Sequence, residues 1–407
     1  MTEVQSAGRG FLFFDTSHAG DAVQNIKALL HNGICTPNLH AVFAVSYWVK
    51  ERIINETEQQ IPGIIEFIDL PAAVSEKKRK FKDVFGALRC IRLSEKLADR
   101  YHCDQIYFLH LDTFMAGLFI RLFFPSRFFF SGLFFRPLEH YPERFGNNLT
   151  LKEKLLSFFK AKIFRRFLAS SKIRTIHCYD KYFVEYCQPL KHSDKVRYLP
   201  DFSFHPPDMA PPRISIENWI KSKNKFLLFG HLTERKGVLK LLESIKFLDS
   251  DHLNASAFLI CGKIDRRIQQ EIDAVLAELH ALGKDKQVHI INDFLDDKKI
   301  WYLINACHLV LLPYQRHPGS SGILSWAASA GKPVLAQSFG LLGHEVEKWG
   351  LGVTADTGDS KAIALALTCF VQKGVEGIVD ANKQAKYKSL HSEKNFASSL
   401  LNSLGPE

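Results

Sequence analysis

The sequence predicts an α/β protein built from two Rossmann-like domains. At 407 residues, the chain is longer than one ordinary hydrophobic core supports. Short apolar runs alternate with helical patterns in both halves, which is typical of βα units around a parallel sheet. Five prolines fall within residues 200–212, so we expect a linker there, because proline fixes φ and removes a donor. We therefore expect domains at 1–200 and 201–385, and a C-terminal helix in 386–407 that packs back on the first domain.

The first half contains six candidate strands and one clear first helix. The helix is expected at 22–30, and the strands at 10–14, 41–45, 64–68, 105–110, 127–130 and 174–178. The apolar stretch 116–135 is interrupted by Arg121, Pro125 and Arg127. A membrane-spanning helix needs about 20 nearly uncharged residues. This stretch is therefore predicted to form a buried helix followed by a buried strand.

The second half restarts the same alternation after the linker. Strands are expected at 225–229, 257–261, 288–291, 309–312 and 333–336, and helices at 237–247, 267–281, 301–306 and 323–330. Ligands of such sheets bind outside the carboxyl ends of the strands. We therefore expect a central cleft between the domains that receives loops from both.

Composition indicates a soluble globular protein, with 46% hydrophobic and 24% charged residues. The eight cysteines form no C-x-x-C pair, and the first residues lack the pattern of a signal peptide. The sequence therefore predicts a reduced, cytoplasmic protein with no structural zinc and no disulfide framework.

The basic charge is concentrated in one region. Residues 121–200 contain 16 Lys and Arg but six Asp and Glu. Within it, 151–174 combines basic residues with phenylalanines and leucines, which is typical of an amphipathic helix on an anionic membrane. The alternative is a core-facing helix with a solvated basic side. Nucleic acid is not expected as a partner, because no recognised binding module accompanies the patch.

A first candidate site follows the strand at 225–229. Gly230 and His231 end that strand, and Arg235, Lys236 and Gly237 precede the next helix. Helix N-termini attract anions, and a planar guanidinium beside an ammonium suits a diphosphate. The alternative is a solvated basic turn.

A second candidate site follows the strand at 309–312, where a glycine- and serine-rich loop enters an alanine-rich helix. Its predicted ligand-binding residues are Ser320, Ser321, Gly322 and Ile323. Glycine lets a backbone approach a ligand closely, and serine adds a donor. The alternative is an ordinary helix cap with Ser320 or Ser321 at the N-cap.

Together these motifs resemble the donor-binding domain of retaining GT-B glycosyltransferases of family four, also called group 1. Residues 331–334, Gly-Lys-Pro-Val, and 340–352 strengthen the resemblance. It implies a GT-B fold and a sugar-nucleotide donor whose diphosphate is held by Arg235 and Lys236. It also implies that cations and amides stabilise the leaving group. No metal or cofactor is then expected.

The sequence departs from this family at two positions. Most members carry two glutamates eight residues apart, and here those places hold Pro318 and Trp326. Neither side chain can accept a hydrogen bond from a sugar. The Ser-Ser-Gly loop is then expected to contact the phosphates and the hexose through amides and hydroxyls.

Further candidates lie in the N-terminal half. By resemblance, Gly20 matches a glycine loop facing the donor phosphates, which makes His18 and Asp21 candidates for acceptor contacts; the alternative is a turn in which Asp21 caps the next helix. His110 and Asp112 end a predicted strand, where cleft residues belong, and are candidate catalytic residues. His110 could equally be a satisfied core residue.

These observations support three hypotheses about function. The first is a retaining hexosyltransferase that uses a lipid-linked or surface-glycan acceptor at the inner face of the membrane. The second is a sugar-nucleotide epimerase on the same fold. The third is a nucleotide-binding protein without turnover, for which Pro318 and Trp326 are the main argument.

Overall fold

The computed structural model describes residues 9–17, 20–34, 39–56, 65–75, 83–203, 211 and 216–404. The chain forms two compact units. The first unit comprises Met1–Pro200 and Glu393–Glu407, and the second comprises Asp201–Ser392.

The first unit is built on a seven-stranded parallel sheet with the order β3-β2-β1-β4-β5-β6-β7. Its strands are β1 Arg9–Phe14, β2 Leu39–Val45, β3 Ile65–Asp69, β4 Gln105–Phe108, β5 Phe129–Phe134, β6 Ile173–Cys178 and β7 Val196–Tyr198. Its helices are α1 Gly20–His31, α2 Tyr47–Glu56, α3 Ala72–Ser75, α4 Val84–Arg100, α5 Leu111–Arg121, α6 Tyr141–Phe145, α7 Leu151–Ala169 and α8 Lys181–Cys187. The order reverses between β1 and β4, so the loops after these two neighbouring strands meet at one edge.

Phenylalanine fills much of the first unit's core. Phe14, Phe108 and Phe114 are fully buried and pack at centroid distances of 4.9–6.1 Å. Strands covered on both faces read as continuous apolar runs, which explains the sequence of β1. The start of α7 is fixed by a capping box between Thr150 and Glu153.

The second unit is built on a six-stranded parallel sheet with the order β10-β9-β8-β11-β12-β13. Its strands are β8 Asn224–Phe229, β9 Ser256–Cys261, β10 Val288–Ile291, β11 Leu309–Leu312, β12 Val334–Gln337 and β13 Gly352–Ala355. Its helices are α9 Glu217–Lys221, α10 Val238–Ile245, α11 Ser250–Asn254, α12 Gln269–Ala281, α13 Asp297–Ala306, α14 Gly322–Ser329, α15 Gly340–Lys348, α16 Ser360–Lys373 and α17 Ala381–Leu390. Here the order reverses between β8 and β11, and the loops that follow them carry the two motifs of this half.

The end of the chain differs from the single helix predicted at 386–407. Helix α17 belongs to the second unit and packs on α14, whereas α18, Glu393–Leu404, packs against α1 of the first. Glu393 accepts from the Asn32 side chain at 3.0 Å, and the Ser403 hydroxyl lies 2.8 Å from His177 Nε2. Only the last helix therefore returns to the first unit.

Two predicted segments differ in detail from the structure. The helix predicted at 151–174 ends at Ala169, and Arg174 lies in β6, within the strand predicted at 174–178. The stretch 116–135 does form a helix and then a strand, but Phe123 and Phe124 between them are exposed. An apolar run does not by itself show which of its phenylalanines face the core.

Within the described residues, no helix is long and apolar enough to cross a membrane. The seven cysteines in this part of the chain are free thiols, and six of them are buried.

Candidate functional site

In the turn after β8, the side chain of Lys236 lies beside Gly230. Gly230 has a φ of +109°, and a Cβ at this position would lie 3.7 Å from Lys236 Nζ and 3.9 Å from Ile323 Cδ1. Gly230, Lys236 and Ile323 therefore surround one small space, which a side chain at position 230 would fill.

The turn containing Lys236 is fixed to the loop after β11. Gly237 has a φ of +71°, and a Cβ there would lie 1.7 Å from the Pro313 carbonyl oxygen. The backbone amide of Gln315 donates to the backbone carbonyl of Arg235 at 2.9 Å. Backbone contacts thus hold both motifs in one arrangement, and only glycine fits at position 237.

A chain of polar side chains joins the two motifs. The Lys236 ammonium donates to Tyr314 Oη at 2.6 Å, and Tyr314 Oη lies 3.1 Å from Ser321 Oγ. All three residues are buried, with Lys236 only 9% exposed. No described carboxylate forms an ion pair with Lys236. A buried cation without a counter-ion is unfavourable, so this arrangement favours binding of an anion.

Ser321 occupies the N-cap position of α14, as the capping alternative required, but its hydroxyl accepts no hydrogen bond from the first turn. The hydroxyl instead lies beside Tyr314. The first amides of α14 thus have no side-chain cap, and the side chain of Ile323 in this first turn borders the same space beside Gly230 as Lys236. Unpaired amides at a helix start favour negative charge.

The loop between β11 and α14 is anchored by Gln337, the last residue of β12. Its side chain accepts from the His317 amide at 2.9 Å and donates to the carbonyls of His317 and Phe339 at 2.6 and 3.0 Å. The His317 ring in turn lies 3.2 Å from the Ser320 carbonyl. Gln337 therefore positions the glycine- and serine-rich loop.

The other predicted residues of this site are more exposed. The Arg235 guanidinium lies 5.4 Å from the centre of the Tyr314 ring, on the surface beside Lys236. His231 is exposed and close to Asp265, whose pKa is lowered mainly by a hydrogen bond from Arg267 and least by His231. Arg235 thus lies near the buried lysine, whereas His231 is close to the Asp265 carboxylate.

Trp326 is part of the core. It is buried and its ring packs edge-on against Trp301 at 5.9 Å. Pro318, at the other departing position, is half-buried. The indole of Trp326 therefore packs in the hydrophobic core of the second unit.

In the first unit, the loops after β1 and β4 bring Asp15 and His110 together. His110 Nδ1 lies 2.9 Å from Asp15 Oδ2, and the imidazole stacks on Phe135 at 4.6 Å. Burial by itself lowers the pKa of His110, but the Asp15 carboxylate, with smaller effects from Asp21 and Asp112, raises it above the ordinary value. The carboxylate holds the imidazole by one nitrogen, which fixes its orientation.

Asp112 is engaged in a different interaction. It accepts from Lys160 Nζ at 2.7 Å and from the Phe135 amide at 2.6 Å. Burial alone would raise the pKa of Asp112, but Lys160, with smaller effects from the Phe135 amide and Arg136, lowers it below the ordinary value. Both oxygens are occupied, so the geometry favours a structural role over the predicted catalytic one.

The remaining candidates lie at the start of α1. Gly20 and Asp21 are exposed there, and Asp21 is close enough to His110 to raise the pKa of the imidazole. His18 lies outside the described residues.

Sequence reasoning missed Tyr314, Gln337 and Asp15 as site residues. Each stands at or just after the carboxyl end of a strand, and for Asp15 and Tyr314 that strand lies where the strand order reverses. That position was the available signal. Among the described residues, no group of three or more His, Cys, Asp or Glu is placed to hold a metal ion.

Two parallel-sheet α/β units in one chain, each with loops meeting where its strand order reverses, define the GT-B class of fold. Residues 213–389 match the model of the family "Glycosyl transferases group 1". The match lies within the second unit, which is therefore similar to a group 1 glycosyl transferase domain.

Solved structures of the same fold match nearly the whole chain. Anabaena HepE in complex with UDP is 13% identical, with 98% of this chain and 99% of that one covered and a TM-score of 0.65. An α,α-trehalose-phosphate synthase (UDP-forming) from Burkholderia vietnamiensis is 11% identical, covers 98% and 97%, and has a TM-score of 0.70. Sucrose-phosphate synthase from Thermosynechococcus elongatus is 12% identical, covers 97% and 98%, and has a TM-score of 0.67. No curated protein matches the chain.

Proposed function

We propose that this protein is a retaining glycosyltransferase that moves a hexose from a nucleoside-diphosphate sugar to an acceptor without a metal ion. The observation that carries the proposal is the buried Lys236 joined through Tyr314 to Ser321, at the point where the strand order of the second unit reverses. The family match and the UDP-bound HepE structure support the same kind of donor.

In this proposal the second unit stabilises the leaving group, which is the nucleoside diphosphate. As the bond from the sugar to the diphosphate breaks, negative charge grows on the phosphate oxygens. The Lys236 ammonium is fixed beside Gly230 and is joined by hydrogen bonds through the Tyr314 hydroxyl to Ser321, the N-cap residue of α14. Preorganised donors of this kind are usually the largest contribution to catalysis. Arg235 would add a second positive charge from the surface side.

The first unit contributes the His110–Asp15 pair. Asp15 fixes one imidazole nitrogen at 2.9 Å and leaves the other to face a ligand. In this proposal His110 contacts the transferred sugar or the acceptor, and Asp21 and His18 contact the acceptor.

The proposed acceptor is a lipid-linked or surface glycan. The basic region 151–174 supports this, because an enzyme acting on such an acceptor benefits from contact with an anionic membrane. The proposed place of action is accordingly the cytoplasmic face of that membrane.

Calorimetry with UDP tests the donor site directly. Lys236→Ala and Tyr314→Phe are each expected to weaken binding at least tenfold, because they remove the buried charge and the hydroxyl that joins it to Ser321. Lys240→Ala is the matched control, since Lys240 lies one turn away and pairs with Glu243. Wild-type affinity in Lys236→Ala would refute the phosphate assignment.

Trp326 favours a second candidate, a nucleotide-binding protein without turnover, because its core position leaves no acidic side chain at that place. A panel of nucleotide sugars and glycan acceptors, assayed with EDTA for release of nucleoside diphosphate, separates the two. Release that requires an acceptor supports the transferase. Binding with no release across the panel supports the second candidate, and release without an acceptor would indicate another chemistry.

A further inference from the structure

Helix α7 is apolar on two opposite faces. Phe164, Phe167 and Leu168 are buried in the core of the first unit. Leu151, Leu155, Phe158 and Phe159 are 86%, 59%, 53% and 50% exposed. At 3.6 residues per turn these four residues fall within roughly 100° of the helix surface, opposite the buried face. Core packing therefore explains one apolar face of α7 and leaves the other open.

A second element adds to this open face. Phe123 and Phe124, in the turn between α5 and β5, are 61% and 63% exposed. The Arg166 guanidinium of α7 lies 5.0 Å from the centre of the Phe123 ring, which places the turn beside the helix. We call the exposed residues of both elements, Phe123, Phe124, Leu151, Leu155, Phe158 and Phe159, the aromatic surface.

Positive charge borders the aromatic surface. The exposed basic residues of α7 are Lys152, Lys154, Lys162, Arg165 and Arg166. Lys162 lies over the Phe158 ring at 4.4 Å. The acid of the helix, Glu153, is bound to Thr150 in the capping box. Exposed phenylalanine and leucine surrounded by cations complement the interface of an anionic bilayer, where rings enter the acyl boundary and ammonium groups meet phosphate.

We propose that the aromatic surface is a composite membrane-binding site, in which α7 and the turn at Phe123 and Phe124 insert together into an anionic lipid interface. If α7 alone bound the membrane, substitutions outside α7 would not change binding. The composite site requires both elements, so it makes the turn at 123–124 as important as the helix. The inference does not rest on the donor chemistry proposed above.

Sedimentation of the full chain with vesicles tests this site. We expect binding to phosphatidylcholine vesicles containing 30% phosphatidylglycerol and little binding to phosphatidylcholine alone. Phe123→Ser/Phe124→Ser and Leu155→Ser/Phe158→Ser/Phe159→Ser should each reduce the partition coefficient at least tenfold. Lys162→Ser/Arg165→Ser/Arg166→Ser should reduce it on the order of 100-fold, at about fivefold per basic residue. Lys160 is left unchanged, because it is buried against Asp112.

Phe85→Ser is the matched control, since Phe85 lies on α4 of the same unit and is 79% exposed. It should bind vesicles like the wild type. Circular dichroism shows that each variant is folded, and UDP calorimetry shows that the second unit is unaffected. Undiminished vesicle binding of the Phe123/Phe124 variant would overturn the composite site. A wild-type dimer that the α7 substitutions convert to a monomer would identify the surface as a subunit interface instead.

Discussion

At the residue scale, the Asp15–His110 pair links stability to pH. Burial by itself raises the pKa of Asp15, but His110 and the hydrogen bonds from Ser17 together lower it, and the pKa of His110 is raised. A carboxyl group whose pKa is lowered on folding stabilises the fold at pH values above its pKa in the unfolded chain. This stabilisation is lost as the pH falls through its pKa in the folded protein. An imidazole whose pKa is raised on folding stabilises the fold at pH values below its pKa in the unfolded chain, about 6.5. This stabilisation is lost as the pH rises through its pKa in the folded protein. The pair is thus fully effective between the ordinary pKa values of Asp and His.

We expect Asp15→Asn to lower the pKa of His110, measured by NMR titration of the imidazole. It should also destabilise the protein most near pH 5–6, by about 1–2 kcal/mol, with a smaller difference near pH 9. Urea unfolding at both pH values measures this. An unchanged His110 pKa would show that the pair is not formed in solution. Asp249→Asn, which alters an exposed pair with His252, is the control and should leave the His110 titration unchanged.

Residue chemistry was only partly predictable from the sequence. Lys236 and Ser321 follow from glycine-containing turns after apolar strands, and the structure joins them through one hydroxyl. Tyr314 itself gave no such signal, because an aromatic residue after a buried strand usually packs in the core. Asp15 and His110 are 95 residues apart, and only the order of the strands places them side by side.

At the element scale, Gly237 couples the turn after β8 to the loop after β11. We expect Gly237→Ala to destabilise the second unit by roughly 3 kcal/mol or more, because a methyl group would overlap the Pro313 carbonyl oxygen. Gly283→Ala is the matched control: its φ is +67° but nothing lies within 4 Å of the new methyl group, so it should cost about 1 kcal/mol. Thermal unfolding compares the two, and equal losses would mean that the contact with Pro313 does not constrain the turn.

The elements themselves were the most predictable level. Strands predicted at 257–261, 288–291 and 309–312 lie within one residue of those observed, because parallel strands in such sheets are runs of mostly apolar residues. β7 and β13 were missed; they have only three and four residues, and neither is an uninterrupted run of apolar side chains. The sequence does not show that Phe123 and Phe124 are exposed while phenylalanines nearby are buried, because their exposure depends on how α5, β5 and α7 pack together.

At the scale of the whole molecule, each unit has its own sheet and core. A nucleoside diphosphate held by Lys236, Tyr314 and Ser321 should stabilise the unit that contains them. We expect UDP to slow hydrogen exchange at 230–237 and 313–324 by tenfold or more, measured by mass spectrometry, with little change in the interior of the first unit. Protection centred on β1 and β4 instead would place the diphosphate elsewhere.

The overall fold class, the division near residue 200 and the parallel sheets could be anticipated because the proline-rich segment interrupts a repeated βα pattern. The cleft predicted between the two domains stays a prediction. The packing of a C-terminal helix on the first unit was expected from the sequence, but the length of that helix was overestimated because α17 and α18 adjoin.

That return has a consequence for biogenesis. Helix α18 buries Phe396, Ala397 and Leu400 in a unit whose other elements end at β7. A ribosome therefore has to translate the entire second unit before the first can be completed, a delay on the order of ten to forty seconds at ordinary elongation rates. The nascent N-terminal half, with its phenylalanine-rich strands and an open place on α1, should depend on chaperones during that interval, whereas the half made later can fold as soon as it emerges.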